Sequence, residues 1–346
     1  MAIDAETLEE QPEPAAGDAV LEIRNLEVTF KTEDGMVSAV RGLDLDVRAD
    51  EVLGIVGESG SGKSVSMLAV LGLLPPTATI TGSAKFRGLE LIGRKQKELQ
   101  PIRGAKIAMI FQDPLTALNP VHRVGVQIIE AIKAHNPDMS NRDAYNRALE
   151  LLELVGIPRP RVRIDQYPHE YSGGMRQRAM IAMMMANDPD VLIADEPTTA
   201  LDVTIQAQIL ELVKNVQERT HTAVVFITHD LGVIARIADR VQVMYAGRTA
   251  EVGDVETLFS GSKHPYTRGL LSSLPALAGR TGKLQPIAGA PPSMLHPPPG
   301  CAFHPRCPMA QVLCTQEQPP LRAIGAPQQL SACHFADQVP DTRPGT

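Results

Sequence analysis

Long apolar runs are missing from this chain. A membrane-spanning helix needs about 18 or more consecutive apolar residues, and the richest stretches, Met67–Leu74 and Ala179–Ala186, fall far short. The basic-then-apolar start of a secretory signal is missing too. Met1–Asp18 carries Asp4, Glu6, Glu9, Glu10, Glu13 and Asp18 but no Lys or Arg. The expectation is a cytoplasmic protein; if it acts on a membrane, other chains must supply the spans. That tail accounts for −6 of the formal net charge of −7, so the body is nearly neutral. Clustered basic charge, the footprint of a nucleic-acid binder, does not occur, and no nucleic-acid partner is expected. Cysteine is absent from the first 300 residues; all four lie between Cys301 and Cys333. Nothing points to an oxidising compartment, so a disulfide set is not expected.

What is present is enough for one large domain with an appendage, or two domains: 346 residues, 43% of them hydrophobic. Val20–Phe30 and Ser38–Val47 alternate with the period of strands. Val52–Val56 reads as a short buried strand ending at a glycine-rich turn. A helix follows over Val65–Leu74, stopped by Pro75 and Pro76. Lys106–Phe111 is a further strand, and Val124–Lys133 and Asp143–Val155 read as helices, the second ended by Gly156 and Pro158. Val191–Ala194 and Ala223–Thr228 have the apolar, β-branched character of buried parallel strands. Strands alternating with helices predict an α/β fold, with a helical subdomain inserted over about 115–175. Beyond about residue 259, Pro275, Pro286, Pro291, Pro292 and Pro297 to Pro299 break the chain repeatedly. The reading divides the chain into a disordered acidic tail over 1–18, a large domain over 19–258, and a linker with a small module over 259–346. Little regular structure is expected in that module.

Phosphate chemistry is written into Gly57-Glu58-Ser59-Gly60-Ser61-Gly62-Lys63-Ser64. It fits G-x-x-x-x-G-K-[ST], and the flanking strand and helix are the context that separates a P-loop from an ordinary glycine-rich turn. Backbone N–H groups from Gly57 through Val65, with Ser59, Gly60, Ser61 and Gly62 between, are placed to wrap phosphate oxygens at a helix N-terminus. Lys63 suits the β- and γ-phosphates, and Ser64 suits Mg²⁺. Asp195 ends an apolar strand, where open α/β sheets place ligands; it suits the Mg²⁺ shell. Glu196, next in line, suits polarising the attacking water. Two carboxylates at a solvated strand end are the plain alternative, weak beside a P-loop. Ser172-Gly173-Gly174 opens a helix with Ser172 as N-cap, and exposed N–H groups there suit a γ-phosphate. A simple capped helix is the alternative.

Taken together, the P-loop, Gln112, Tyr171-Ser172-Gly173-Gly174-Met175-Arg176-Gln177-Arg178, Val191–Glu196 and His229 follow one fixed order. That order resembles the ATP-binding subunit of an ABC (ATP-binding cassette) transporter over roughly residues 19–258. The resemblance implies an ABC-type P-loop ATPase with a RecA-like parallel core, an antiparallel β subdomain and an inserted helical subdomain. It implies a dimer in which Ser172, Gly173, Gly174 and Gln177 complete the ATP site of the opposite subunit. It gives Gln112 a contact to Mg²⁺ or the water, His229 a contact to the γ-phosphate, and Asp202 of Ala200-Leu201-Asp202 a role in coupling the two sites. Phe30 matches the adenine-stacking position, with a core phenylalanine as the equal alternative. Phe111–Pro120, Pro168-His169-Glu170 and the tail Gly289–Cys307 look like the di- and oligopeptide importers. That branch implies two membrane-spanning permease subunits, a second ABC ATPase subunit and an extracytoplasmic peptide-binding protein. A nickel importer, a soluble non-transport ABC ATPase and a metal-sensing module remain the alternatives.

The cysteine intervals are x5, x6 and x18, without a C-x-x-C pair, which weakens a zinc ribbon. Four thiolates suit a [4Fe–4S] cluster, and similar peptide-importer subunits carry one in this tail. Zinc, free thiols, or a mixed site with His304 or His334 stay open. A structural staple is expected of Cys301, Cys307, Cys314 and Cys333, independent of the ATP site.

Overall fold

The computed structural model describes residues 17–111, 118–198, 202–274, 287–325 and 328–340. The strands among them are β1 (Ala19–Thr32), β2 (Gly35–Arg48), β3 (Val52–Val56), β4 (Ala78–Phe86), β5 (Leu89–Glu90), β6 (Ile107–Ile110), β7 (Val191–Asp195), β8 (Ala223–Thr228), β9 (Arg240–Tyr245), β10 (Arg248–Asp254), β11 (Arg322–Ala323) and β12 (Leu330–Ser331). Two compact units divide the chain. One holds the described parts of Met1–Leu21, Val47–Glu51 and Arg94–Phe226; the other holds those of Glu22–Asp46, Val52–Gly93 and Ile227–Thr346.

In the second unit, β2-β1-β4-β5 form a four-stranded sheet. Leu43 and Leu45 are buried in β2, as the period-2 alternation predicts, whereas in β1 the alternation through Ile23 shifts by one residue at Asn25, φ 48°, and resumes at Leu26 and Val28. β4 escapes the sequence reading because Ala78–Phe86 is mostly small and polar, and only Ala84 and Phe86 are buried in it. Gly82 there passes so close to β1 that a Cβ would stand 2.3 Å from the Asn25 carbonyl oxygen. β3 pairs in parallel with β9 from Leu53↔Arg240 to Val56↔Val243, and every residue of both is buried. β9 continues antiparallel into β10.

The helix after β3 spans Lys63–Val70 and ends four residues before the predicted stop at Leu74. Gly72, at φ 62°, donates its N–H to Ala69 O at 3.0 Å, so a glycine cap acts before the prolines do.

The chain beyond 259 carries more order than its prolines suggest. Val255–Gly261 and Pro265–Ser272 are helical. β12 adds to the sheet through Glu251↔Ser331 and Val252↔Leu330, with β11 outside it. The predicted linker prolines Pro275 and Pro286 lie outside the described residues.

In the first unit, β6 and β7 run parallel from Ile107↔Val191 to Ile110↔Ala194, with β8 on the other side of β7. All three strands are fully buried, the burial that parallel strands require. The helices Val124–His135, Asn141–Leu154 and Gly173–Met184 pack on one another, which is the inserted helical subdomain. Ser140 caps the middle one, its Oγ accepting from Asp143 N at 3.1 Å.

Candidate functional site

The P-loop is built by two close approaches. Gly62, the N-cap of the helix Lys63–Val70, holds φ 97°, and a Cβ there would stand 2.6 Å from Ala39 O. A Cβ on Gly57 would stand 2.2 Å from Met244 O. Glycine is therefore required at both positions by neighbouring backbone, not by flexibility alone. Lys63 is 6% exposed. Its Nζ donates to Gly57 O at 2.7 Å, Glu58 O at 3.0 Å and Ser61 Oγ at 3.3 Å, so the ammonium is folded back over its own loop. Ser59 and Gly60 are exposed, Gly57 and Ser61 are buried, and Ser64 and Val65 are half-buried.

The same unit carries Phe30, half-buried near the end of β1, and His229, exposed just past β8. Asp230, next after His229, caps the helix Leu231–Ile237 by accepting from Gly232 N at 2.7 Å. That cap fixes the turn on which His229 stands.

The first unit holds the carboxylates and the Ser-Gly-Gly helix. Asp195 ends β7 and is 6% exposed; Glu196 follows, half-buried, at φ 47°. A non-glycine residue in the left-handed region costs energy that the surrounding structure must offset. Ser172 caps the helix Gly173–Met184, its Oγ accepting from Met175 N at 3.3 Å, and Ser172 and Gly173 are exposed. Gln177 is fully buried in that helix and donates through Nε2 to Pro197 O at 2.6 Å. One hydrogen bond thus joins the Ser-Gly-Gly helix to the residue after Glu196. A Cβ on Gly174 would meet Ile205 Cγ2 at 3.0 Å, which lets the helix Val203–Thr220 come close. Asp202 caps this last helix, accepting from Ile205 N at 2.9 Å, and is exposed. Gln112, Ala200 and Leu201 lie outside the described residues.

The four cysteines converge. Cys301, Cys307, Cys314 and Cys333 line one pocket with about 340 Å³ of empty space, part of it open to solvent. All four are free thiols. Cys301 N donates to Cys314 O at 2.8 Å, and Gly300, at φ 63°, lets the chain pass close to the short helix Val312–Gln316, where a Cβ would stand 2.4 Å from the same oxygen. Burial pushes the Cys301 and Cys307 thiols up, and Cys333 up to about 11, with the neighbouring cysteines adding to each. Backbone N–H groups oppose this: those of Phe303 and His304 point at Cys301, that of Met309 at Cys307 and that of Phe335 at Cys333. Such donors favour the thiolate. His304 and His334 each face a backbone oxygen with one ring nitrogen, Cys301 O at 2.9 Å and Glu317 O at 3.0 Å. Among the described residues, no group of three or more His, Cys, Asp or Glu is arranged to hold a metal ion.

Sequence reasoning missed the residues that join this pocket to the P-loop. Arg306 forms a fork with Glu58, Nη1 to Oε2 at 2.6 Å and Nη2 to Oε1 at 2.9 Å. Glu58 N donates to the Tyr266 hydroxyl at 2.8 Å. Glu58 fills a variable position of the motif and Arg306 sits 248 residues away, so no local pattern links them.

Residues 40–199 match the ABC transporter family, and residues 250–314 match the oligopeptide/dipeptide transporter C-terminal region. The chain is 51% identical to the dipeptide transport ATP-binding protein DppD of Bacillus subtilis, across 93% of this chain and 96% of that one. It is 49% identical to the oligopeptide transport ATP-binding protein OppD of Salmonella typhimurium, across 95% and 97%. Among solved structures it is similar to the dimeric structure of MJ0796, a bacterial ABC transporter cassette. The TM-score is 0.61 and the identity 28%, across 68% of this chain and 98% of the other.

Proposed function

The chain belongs to the family of ABC transporter ATP-binding subunits, in its dipeptide and oligopeptide branch, and from that premise we propose that it is the ATPase powering peptide import. The observation that carries this reading is identity of about half over more than nine-tenths of relatives named for dipeptide and oligopeptide transport. Like other ABC subunits of this branch, it sits peripherally on the cytoplasmic face of the membrane. No described helix is long and apolar enough to cross a membrane, so permease subunits supply the path. Two permeases, a second ABC ATPase subunit and an extracytoplasmic peptide-binding protein complete the assembly.

Each site residue then has a task. N–H groups from Gly57 to Val65 cradle the phosphates, and Lys63 swings from its loop carbonyls to the β- and γ-phosphate oxygens. Ser64, Asp195 and Gln112 are the residues that would ligate Mg²⁺, an ion that would neutralise charge on the transferred phosphoryl group. Glu196 orients the attacking water, and its left-handed backbone is the kind of stored strain found at functional positions. His229 contacts the γ-phosphate, and Phe30 stacks on adenine. Ser172, Gly173, Gly174 and Gln177 serve the ATP bound by the partner subunit, and Asp202 couples the two sites. Residues 19–258 form the ATPase domain and 259–346 the peptide-importer module.

In that module, Cys301, Cys307, Cys314 and Cys333 hold a [4Fe–4S] cluster. The support is the shared pocket and the N–H groups directed at three of the sulfurs. The proposal requires the thiolates to draw in from the arrangement described. The cluster acts as a staple, because a small proline-broken segment has little core of its own.

Reconstitution into liposomes with the permeases and the binding protein tests the reading. ATP-dependent peptide uptake, with ATP hydrolysis stimulated by peptide, is expected. Hydrolysis without peptide transport in the complete assembly would overturn it.

A further inference from the structure

We propose that Arg306 is a positioning residue for the nucleotide-binding loop, holding Glu58 from within the cysteine-lined module so that ATP affinity depends on that module. The inference rests on the ATPase reading above. It begins from where the guanidinium sits. The Arg306 side chain is 5% exposed and Glu58 25%, so their fork is largely withdrawn from water. Nε donates to Ala288 O at 3.0 Å, Nη1 also reaches the Tyr245 hydroxyl at 3.3 Å, and the guanidinium lies 5.8 Å from the Tyr245 ring centroid. A guanidinium held on three sides is a rigid support rather than a swinging surface charge.

On the far side of the fork, Glu58 belongs to the phosphate loop. Its carbonyl accepts from Lys63 Nζ and its N–H is held by Tyr266. Tyr266 is fully buried, with ring centroids 4.5 Å from Tyr245 and 5.4 Å from Phe303. Arg306 closes a tight turn over His304–Arg306, and Cys307 comes next. A continuous set of contacts therefore runs from the cysteine pocket through Arg306 to the backbone that must present N–H groups to phosphate. Fixing that backbone in advance removes an ordering cost from nucleotide binding.

The test uses the assembled transporter with wild type, Arg306→Met, Arg306→Lys, Glu58→Gln and the Arg306→Met/Glu58→Gln double variant, read by the dependence of ATP hydrolysis on ATP concentration. Breaking the buried pair from either side should raise KM for ATP about tenfold while kcat falls less than about threefold. Lysine keeps the charge but not the fork, so Arg306→Lys should fall between wild type and Arg306→Met. The double variant should be no worse than the worse single, the signature of one shared interaction. An unchanged KM in Glu58→Gln overturns the proposal, and does so even if Arg306→Met fails to assemble. Additive effects in the double variant, or equal losses in kcat and kcat/KM, overturn it as well. A wild-type assembly that does not hydrolyse ATP sinks the ATPase reading instead, which keeps the two failures apart.

Discussion

Glu196 and Lys63 make opposite demands on the same reaction. Glu196→Gln keeps the volume and the left-handed turn but removes the carboxylate proposed to orient water. Hydrolysis in the assembled transporter should fall by about 10²- to 10⁴-fold, with ATP binding intact and the ATP-closed dimer accumulating. Near wild-type turnover would remove Glu196 from the water-orienting role. Lys63→Ala acts earlier, because the buried ammonium is already bonded to the loop it must leave for phosphate. Nucleotide affinity itself should drop, seen as loss of ATP binding to the isolated subunit. Both residues stand out in the sequence as candidates because the roles proposed for them attach to local patterns, a P-loop lysine and a carboxylate pair after an apolar strand. Arg306 and Glu58 were not, since an ion pair between distant segments leaves no local pattern.

At the scale of elements, the helix Gly173–Met184 has one side chain with an observed job and a proposed one. Ser172 caps it and also stands exposed where the partner's phosphate is proposed to lie. Ser172→Asp separates the jobs. Aspartate is as good a cap, so thermal stability should hold within a few degrees. Its charge would repel a γ-phosphate, so ATP-dependent dimer closure should be lost while the chain's own ATP binding persists. Closure at wild-type ATP concentrations would place the partner's phosphate elsewhere. Elements also show where period reading stops. β3 and β8 are fully buried and apolar but for the terminal Thr228, and were bounded correctly from sequence. β9 is just as buried but contains Arg240 and Gln242. Arg240 pairs with Asp46 at 3.2 Å, and Gln242 donates to Asp44 O at 3.0 Å and to Thr249 Oγ1 at 2.7 Å. Partners from distant segments make those polar residues tolerable inside, and no window of sequence contains them.

For the whole molecule, the cysteine tail and the ATP site were expected to be independent. The Arg306–Glu58 fork puts that independence to the test, because it joins the tail to the glycine-rich loop. Protein purified without oxygen should be brown and carry about four irons per chain. Replacing any one of Cys301, Cys307, Cys314 or Cys333 by serine should bleach it and loosen the region beyond residue 287. Colourless protein holding one tightly bound zinc would replace the cluster with the zinc reading. Removing the iron with a chelator should also raise KM for ATP, through the turn that joins Cys307 to Arg306. An unchanged KM after complete iron removal would leave the two sites independent.

The sequence by itself determined the class of machine. Phosphate handling uses backbone N–H groups at a glycine turn and side chains at strand ends, and these leave short, ordered strings. It also placed the four cysteines close enough in the chain to share a ligand. Only the tertiary structure decided what the tail touches. β12 joins β10, Tyr266 holds Glu58 N, and Arg306 holds Glu58 itself. Each is a contact between segments far apart in the chain, made where burial strengthens a hydrogen bond or ion pair and makes its loss costly. Such contacts depend on which surfaces meet when the chain packs, and local residue order does not record that.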